Sequence, residues 1–233
     1  MTDVFVEFDV GGHVDHAVQA WTFDLPHWGL CGQGVDEESS LSALRGAALR
    51  ALASFLTAHG EDCPPLGRLR VVERVTGDEL AFARDHRPAT DRELERTLQL
   101  LAWARSDLIE LLDGSTENEL DWDDPARVLP SWATWRTPRA MAWHIADTDS
   151  RYYLASLGVD PPPREPDLRE EMERSAQHVR RVLPSLRRDL RVERRGQVWT
   201  TTKVLRRLAW HARVEVDVVR DLLAKAWTAR REG

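Results

Sequence analysis

The sequence predicts an α+β N-terminal domain of order β-β-β-α-β followed by an all-α four-helix bundle. Residues 2–10 alternate apolar and acidic side chains, the period of a half-buried strand. From Thr90 onward, apolar residues recur every three or four positions in four separate segments. Between these regions, residues 76–89 are polar with only a weak apolar pattern. The expected layout is therefore a domain at 1–76, a linker at 77–89 and a helical domain at 90–233.

Within the first domain, Val4, Val6, Phe8 and Val10 share one face of a strand, with Asp3, Glu7 and Asp9 near or on the other. Gly11-Gly12 reads as a turn, Val18 to Phe23 as a second strand and Leu30 to Gln33 as a short third. Leu41, Leu44, Ala48, Ala51, Leu52, Phe55 and Leu56 then fall at helical spacing. Asp36, Glu37 and Glu38 sit at the start of that helix, where its dipole favours acids. Gly60 and Pro64-Pro65 end it, and Leu69 to Val75 returns to strand, giving a small antiparallel sheet.

The helical part opens with Leu94, Leu98, Leu101, Ala102, Leu108, Ile109 and Leu112 on one helix, stopped by Gly114. A loop from Leu120 to Arg136, rich in Trp and Pro, leads to Thr137-Pro138, an N-cap followed by an N1 proline. The second helix buries Met141, His144, Ile145, Thr148 and Tyr152 and stops at Gly158. After the stiff Pro161-Pro162-Pro163 connector, a third helix carries Leu168, Met172, Val179, Leu183 and Leu186, with Pro184 kinking or splitting it. The fourth runs from about Thr201 to Arg230. Eight of the ten tryptophans lie after residue 100, which predicts a tightly packed C-terminal half.

A net charge of −7 gives no global reason to expect nucleic acid as a partner. Residues 180–207 run against that balance, with ten Lys/Arg against Asp189 and Glu193. The ordinary expectation for such a run is a solvated helix face; the functional one is a patch for an anionic thiol, a carboxylate or RNA. With only Trp199 interleaved, nucleic acid is the weakest of these. Cys31 and Cys63 belong to no metal or redox spacing and read as two reduced thiols. No stretch reaches the roughly 18–20 apolar residues of a membrane span, so the expectation is a soluble cytoplasmic protein without a membrane partner.

Three residues stand on faces otherwise reserved for core. His211 and Glu215 are four apart and stack on one helix face. His144, on another helix, would complete a facial N,N,O set with positions left open, suited to zinc, nickel, manganese or iron. Two other readings stand beside it: core histidines satisfied by hydrogen bonds, and a metal-free Glu–His pair. Asp147, one turn after His144, is either a second carboxylate that orients a ligand or a surface acid. Trp143 and Trp210 read as packing residues between helices.

Phe23-Asp24-Leu25-Pro26, Gly29-Leu-Cys-Gly-Gln-Gly34 and the acids Asp36-Glu37-Glu38 opening an Ala/Leu-rich helix resemble the HicB-like antitoxin domain over residues ~2–76. That resemblance implies a partial RNase-H-like fold and a protein partner. A second resemblance covers residues ~90–228. It rests on Leu101-Ala-Trp-Ala-Arg-Ser-Asp-Leu-Ile, Trp135-Arg-Thr-Pro-Arg-Ala-Met-Ala-Trp-His-Ile-Ala-Asp, Tyr152-Tyr153-Leu and Leu208-Ala-Trp-His-Ala-Arg-Val-Glu. These are similar to the DinB-like family of metal-binding four-helix bundles, which includes mycothiol-dependent maleylpyruvate isomerase and bacillithiol transferases. The resemblance maps the metal ligands to His144, His211 and Glu215, the last standing where the family often has histidine.

Two functions follow as expectations. The first is a metal-dependent transferase or isomerase that uses a low-molecular-weight thiol on a small electrophilic substrate, with no catalytic residues beyond the metal site. The second is a non-catalytic interaction protein, its HicB-like domain holding a toxin-like partner and its bundle serving as scaffold or forming a homodimer.

Overall fold

The computed structural model describes residues 1–11, 16–130, 133–194 and 196–232. Gly12 of the expected turn and Arg195 of the basic run lie outside them. The chain divides into two compact units, each discontinuous in sequence: residues 1–97 with 187–210, and residues 98–186 with 211–233.

The first unit is built on strands β1 (Thr2–Phe8), β2 (Val18–Trp21), β3 (Cys31–Gly34) and β4 (Leu69–Thr76), in the order β3-β2-β1-β4. The element order matches the expectation, but the sheet is mixed rather than antiparallel, because β4 runs parallel to β1. Parallel neighbours need a long crossover, and here two strands and a helix lie between them. That helix has two α segments, α1 (Glu37–Ala43) and α2 (Leu49–Ala58), joined by a π turn at Leu44–Ala48. Asp36 caps it, accepting from Ser39 N at 2.8 Å.

Cross-strand neighbours share a face, and the pairing sorts the sheet into two surfaces. Val6, Ala20 and Gly32 align on the side that meets α1. A Cβ built on Gly32 would lie 2.2 Å from Ser40 O, so the helix rests directly on the strand backbone. The opposite side carries Phe5, Trp21 and Cys31 against Phe82 and Trp210. Glu7, expected on a polar face, is fully buried on this second side. The stretch expected to be a linker contributes here too: Phe82 and Asp85 are both fully buried.

The chain returns to this unit through a hairpin that periodicity does not announce, β5 (Arg191–Arg194) with β6 (Gln197–Thr200). Helix α8 (Thr201–Glu232) follows. The solvated face expected for the basic run fails at its end, because Lys203, Arg206 and Arg207 are buried. Arg206 pairs with Asp85 and Arg207 with Glu7, each at 2.8 Å. The Arg206 guanidinium also sits 4.3 Å from the Trp21 ring centroid. Lys203 Nζ donates to Val198 O at 3.0 Å and to Glu79 O, and burial pushes its pKa down to about 7.

The second unit is largely helical. It contains the body of α3 (Asp91–Asp113), the short α4 (Glu117–Leu120), α5 (Pro138–Asp147), a π turn at Thr148–Tyr153, α6 (Leu154–Ser156), α7 (Leu168–Val182) and α8 from His211. As expected, Thr137 caps α5 (Ala140 N to Thr137 Oγ1, 3.2 Å) with Pro138 at its first turn. Helix α7 ends at Val182 rather than Leu186, where Pro184 forces a 3-10 turn. Its core joins Leu100, Ala104 and Leu108 of α3, Met141 and Ile145 of α5, Met172 and Val179 of α7, and Val216, Val219 and Leu222 of α8. Helices α5 and α7 pack together. Ser175 Oγ lies 2.9 Å from Ser150 Oγ and donates to Ala146 O at 3.1 Å. Among the described residues no helix is long and apolar enough to cross a membrane.

Candidate metal centre

The second unit brings His144 of α5 together with His211 and Glu215 of α8: one ligand atom from each lies within 4.8 Å of the others. His144 Nε2 and His211 Nε2 are 3.2 Å apart. Two imidazole nitrogens bound at about 2.0–2.1 Å to one tetrahedral zinc stand roughly 3.3 Å apart, so this spacing fits a shared cation. His211 Nε2 is 3.9 Å from Glu215 Oε1, too far for a hydrogen bond. The metal-free Glu–His pair is therefore not formed; the close contact is between the two imidazoles.

Burial sets the charge states. His211 is 4% exposed, and its pKa lies well below the ordinary value through burial, then His144 and Arg105. His144 is pushed down to about 4 by burial and then by Arg127. Both rings are neutral at pH 7, the form in which a ring nitrogen offers a lone pair. The Glu215 carboxyl is pushed up to about 7 by burial, with Arg127 opposing. A cation at the three ligand atoms would favour its ionised form. The donor set thus combines two neutral imidazoles with a carboxylate that, among the described residues, forms no ion pair with a lysine or arginine, a combination that fits zinc, nickel, manganese or iron.

The surroundings hold this set in place. The Trp135 ring stacks on His144, with centroids 3.8 Å apart and planes at 16°. Arg127 ties down the preceding loop, donating to Trp135 O at 2.7 Å and Arg136 O at 3.0 Å. Thr148 Oγ1 lies 3.4 Å from His144 Nδ1, and Tyr153 meets His211 edge-on with centroids 5.8 Å apart. Arg105, Asp149, Arg180 and aliphatic side chains line a cavity of about 60 Å³ in the same unit.

Asp147 is not part of this cluster. It is half-buried and pairs with Arg151 at 3.4 Å and with Arg164. The nearby carboxylate is Asp149, which sequence spacing did not single out; its Oδ1 is 3.9 Å from His211 Nδ1. Arg164 sits over the Trp143 ring at 5.2 Å. Trp210 packs edge-on against Trp21 in the first unit.

Helices carrying two imidazoles and a carboxylate to one point define a class of metal-capable helical units. Residues 100–214 match the family model of the DinB superfamily, so this stretch is DinB-like. The match contains His144 and His211 and ends one residue before Glu215. Neither the curated proteins nor the solved structures returned a match.

Proposed function

We propose that the DinB-like part binds one divalent metal through His144, His211 and Glu215, and that the chain is a thiol-dependent transferase or isomerase acting on a small electrophile. The observation that carries this reading is the convergence of three ligand atoms within 4.8 Å, with both histidines neutral. A bound zinc, nickel, manganese or iron supplies Lewis acidity and lowers the pKa of a thiol or water at an open position. The chain's own residues do the rest. His144 and His211 present Nε2, Glu215 adds negative charge, and Trp135 covers one face of His144 against solvent. Arg127 places a positive charge near Glu215 and His144.

Metal content by mass spectrometry tests the reading on untagged wild type beside His144→Ala and Glu215→Ala. One equivalent in wild type, lost in both variants, supports it and opens a screen of thiol-transfer reactions. A metal-free wild type that takes up no added metal, with both variants folded, overturns it. In that case the second reading moves forward: an interaction protein whose N-terminal β-β-β-α-β unit holds a toxin-like partner, supported by the element order around β1–β4.

A further inference from the structure

Asp149 is 1% exposed, an expensive place for a carboxylate unless it has a role that holds it there. One oxygen, Oδ2, accepts from Arg105 Nη2 at 2.9 Å. Arg105 is itself largely buried, its other terminal nitrogen 3.2 Å from Met172 Sδ. The second oxygen, Oδ1, has no hydrogen-bond partner among the described residues and stands 3.9 Å from His211 Nδ1. It faces the ring nitrogen opposite the one that meets His144.

The backbone explains how Asp149 reaches this position. It lies five residues after His144, and five residues of regular α-helix turn through about 500°, leaving them roughly 140° apart. The π turn at Thr148–Tyr153, with Leu154 N–H bonded to Asp149 O, widens the helix at that point. Asp149 thereby reaches His211 from the helix that carries His144.

We infer that Asp149, held by Arg105, is a positioning residue for His211: at 3.9 Å it is beyond hydrogen-bond distance of Nδ1, but its negative charge favours the tautomer protonated there and so leaves the Nε2 lone pair aimed at the metal position. The inference rests on the metal-binding reading above and deepens it. The same order extends through the cluster. With the proton on His211 Nδ1, its Nε2 is free to accept from His144 Nε2 at 3.2 Å, and His144 Nδ1 lies 3.4 Å from the Thr148 hydroxyl. Carboxylates behind metal-bound histidines fix the tautomer and raise the basicity of the ligand.

The test has two arms. Long-range ¹H–¹⁵N correlation spectra of wild type read the His211 tautomer directly, with or without metal. The expected result is a proton on Nδ1; a proton on Nε2 overturns the inference even if metal binds. Zinc affinity by chelator competition is then compared for wild type, Asp149→Asn and Arg105→Lys. The expected loss is 10–100-fold for Asp149→Asn, the range typical of such outer partners, and a smaller loss for Arg105→Lys. Zinc binding within twofold of wild type in both folded variants overturns the inference while leaving the metal site intact. A wild type that binds no zinc sinks the metal-binding reading instead, and the tautomer of its metal-free ring still decides whether Asp149 orients His211.

Discussion

Both units bury carboxylates against guanidinium groups, as Arg105 and Asp149 do in the second, but one cluster of the second unit is built differently from the pairs of the first. In the first, Glu7 faces Arg207 and Asp85 faces Arg206, each at 2.8 Å, so every buried carboxylate has a guanidinium against it. In the second, Glu215 shares its site with two neutral histidines, and among the described residues no lysine or arginine stands within ion-pair distance of it. A set of opposite charges closes on itself and acts as structure. A set of lone pairs and one carboxylate, with Arg127 near but not in an ion pair with it, leaves a place for a divalent cation.

The largest expected effect breaks the closed set. Arg206→Met leaves Asp85 buried without its partner, and loss of one member of such a pair costs about 3–5 kcal/mol. Urea denaturation at pH 7 reads this, with zinc affinity unchanged. A loss below about 1 kcal/mol would mean that the first unit is no better paired than the second.

The open set is expected to respond with the other sign. Glu215 titrates at about 7 in the fold against 4.5 as its ordinary value, so the metal-free fold loses stability as pH rises through that window. Glu215→Gln should therefore gain on wild type from pH 4.5 to 7, by up to roughly 3 kcal/mol. His144 works the other way, its neutral form losing stability as pH falls from 6.5 through about 4. Comparing Glu215→Gln with wild type at each pH subtracts that contribution. A difference independent of pH would contradict a buried carboxylate without an ion pair.

Zinc should reverse the comparison. At a hundredfold excess over its dissociation constant, a ligand bound only to the folded state adds about 2.7 kcal/mol. Thermal denaturation should show that gain in wild type and none in His144→Ala. The smallest effect concerns the Trp135–His144 stack. Trp135→Ala should cost about 0.5–1.5 kcal/mol beyond the loss of buried area, and nickel should quench less fluorescence in the variant.

The histidines and Glu215 are legible in sequence because regular helices repeat on a known period: residues four apart share a face, whatever else the fold does. The strand and helix order of the first unit is legible for the same reason. What periodicity hides is whatever depends on distant partners or on departures from regular helix. Asp147 looks one turn from His144, yet a π turn delivers Asp149 to the site instead. Arg206 and Arg207 look like a solvated run until Asp85 and Glu7, more than a hundred residues away, are placed against them. The parallel pairing of β4 with β1 is likewise a tertiary choice, because alternation is the same in either direction.

The most direct test of the central claim is the position of the metal itself. Crystals grown with zinc, measured on both sides of the zinc absorption edge, are expected to show one anomalous peak bounded by His144 Nε2, His211 Nε2 and a Glu215 carboxylate oxygen. A peak elsewhere, or none at saturating zinc with the two imidazoles still 3.2 Å apart, would contradict the account.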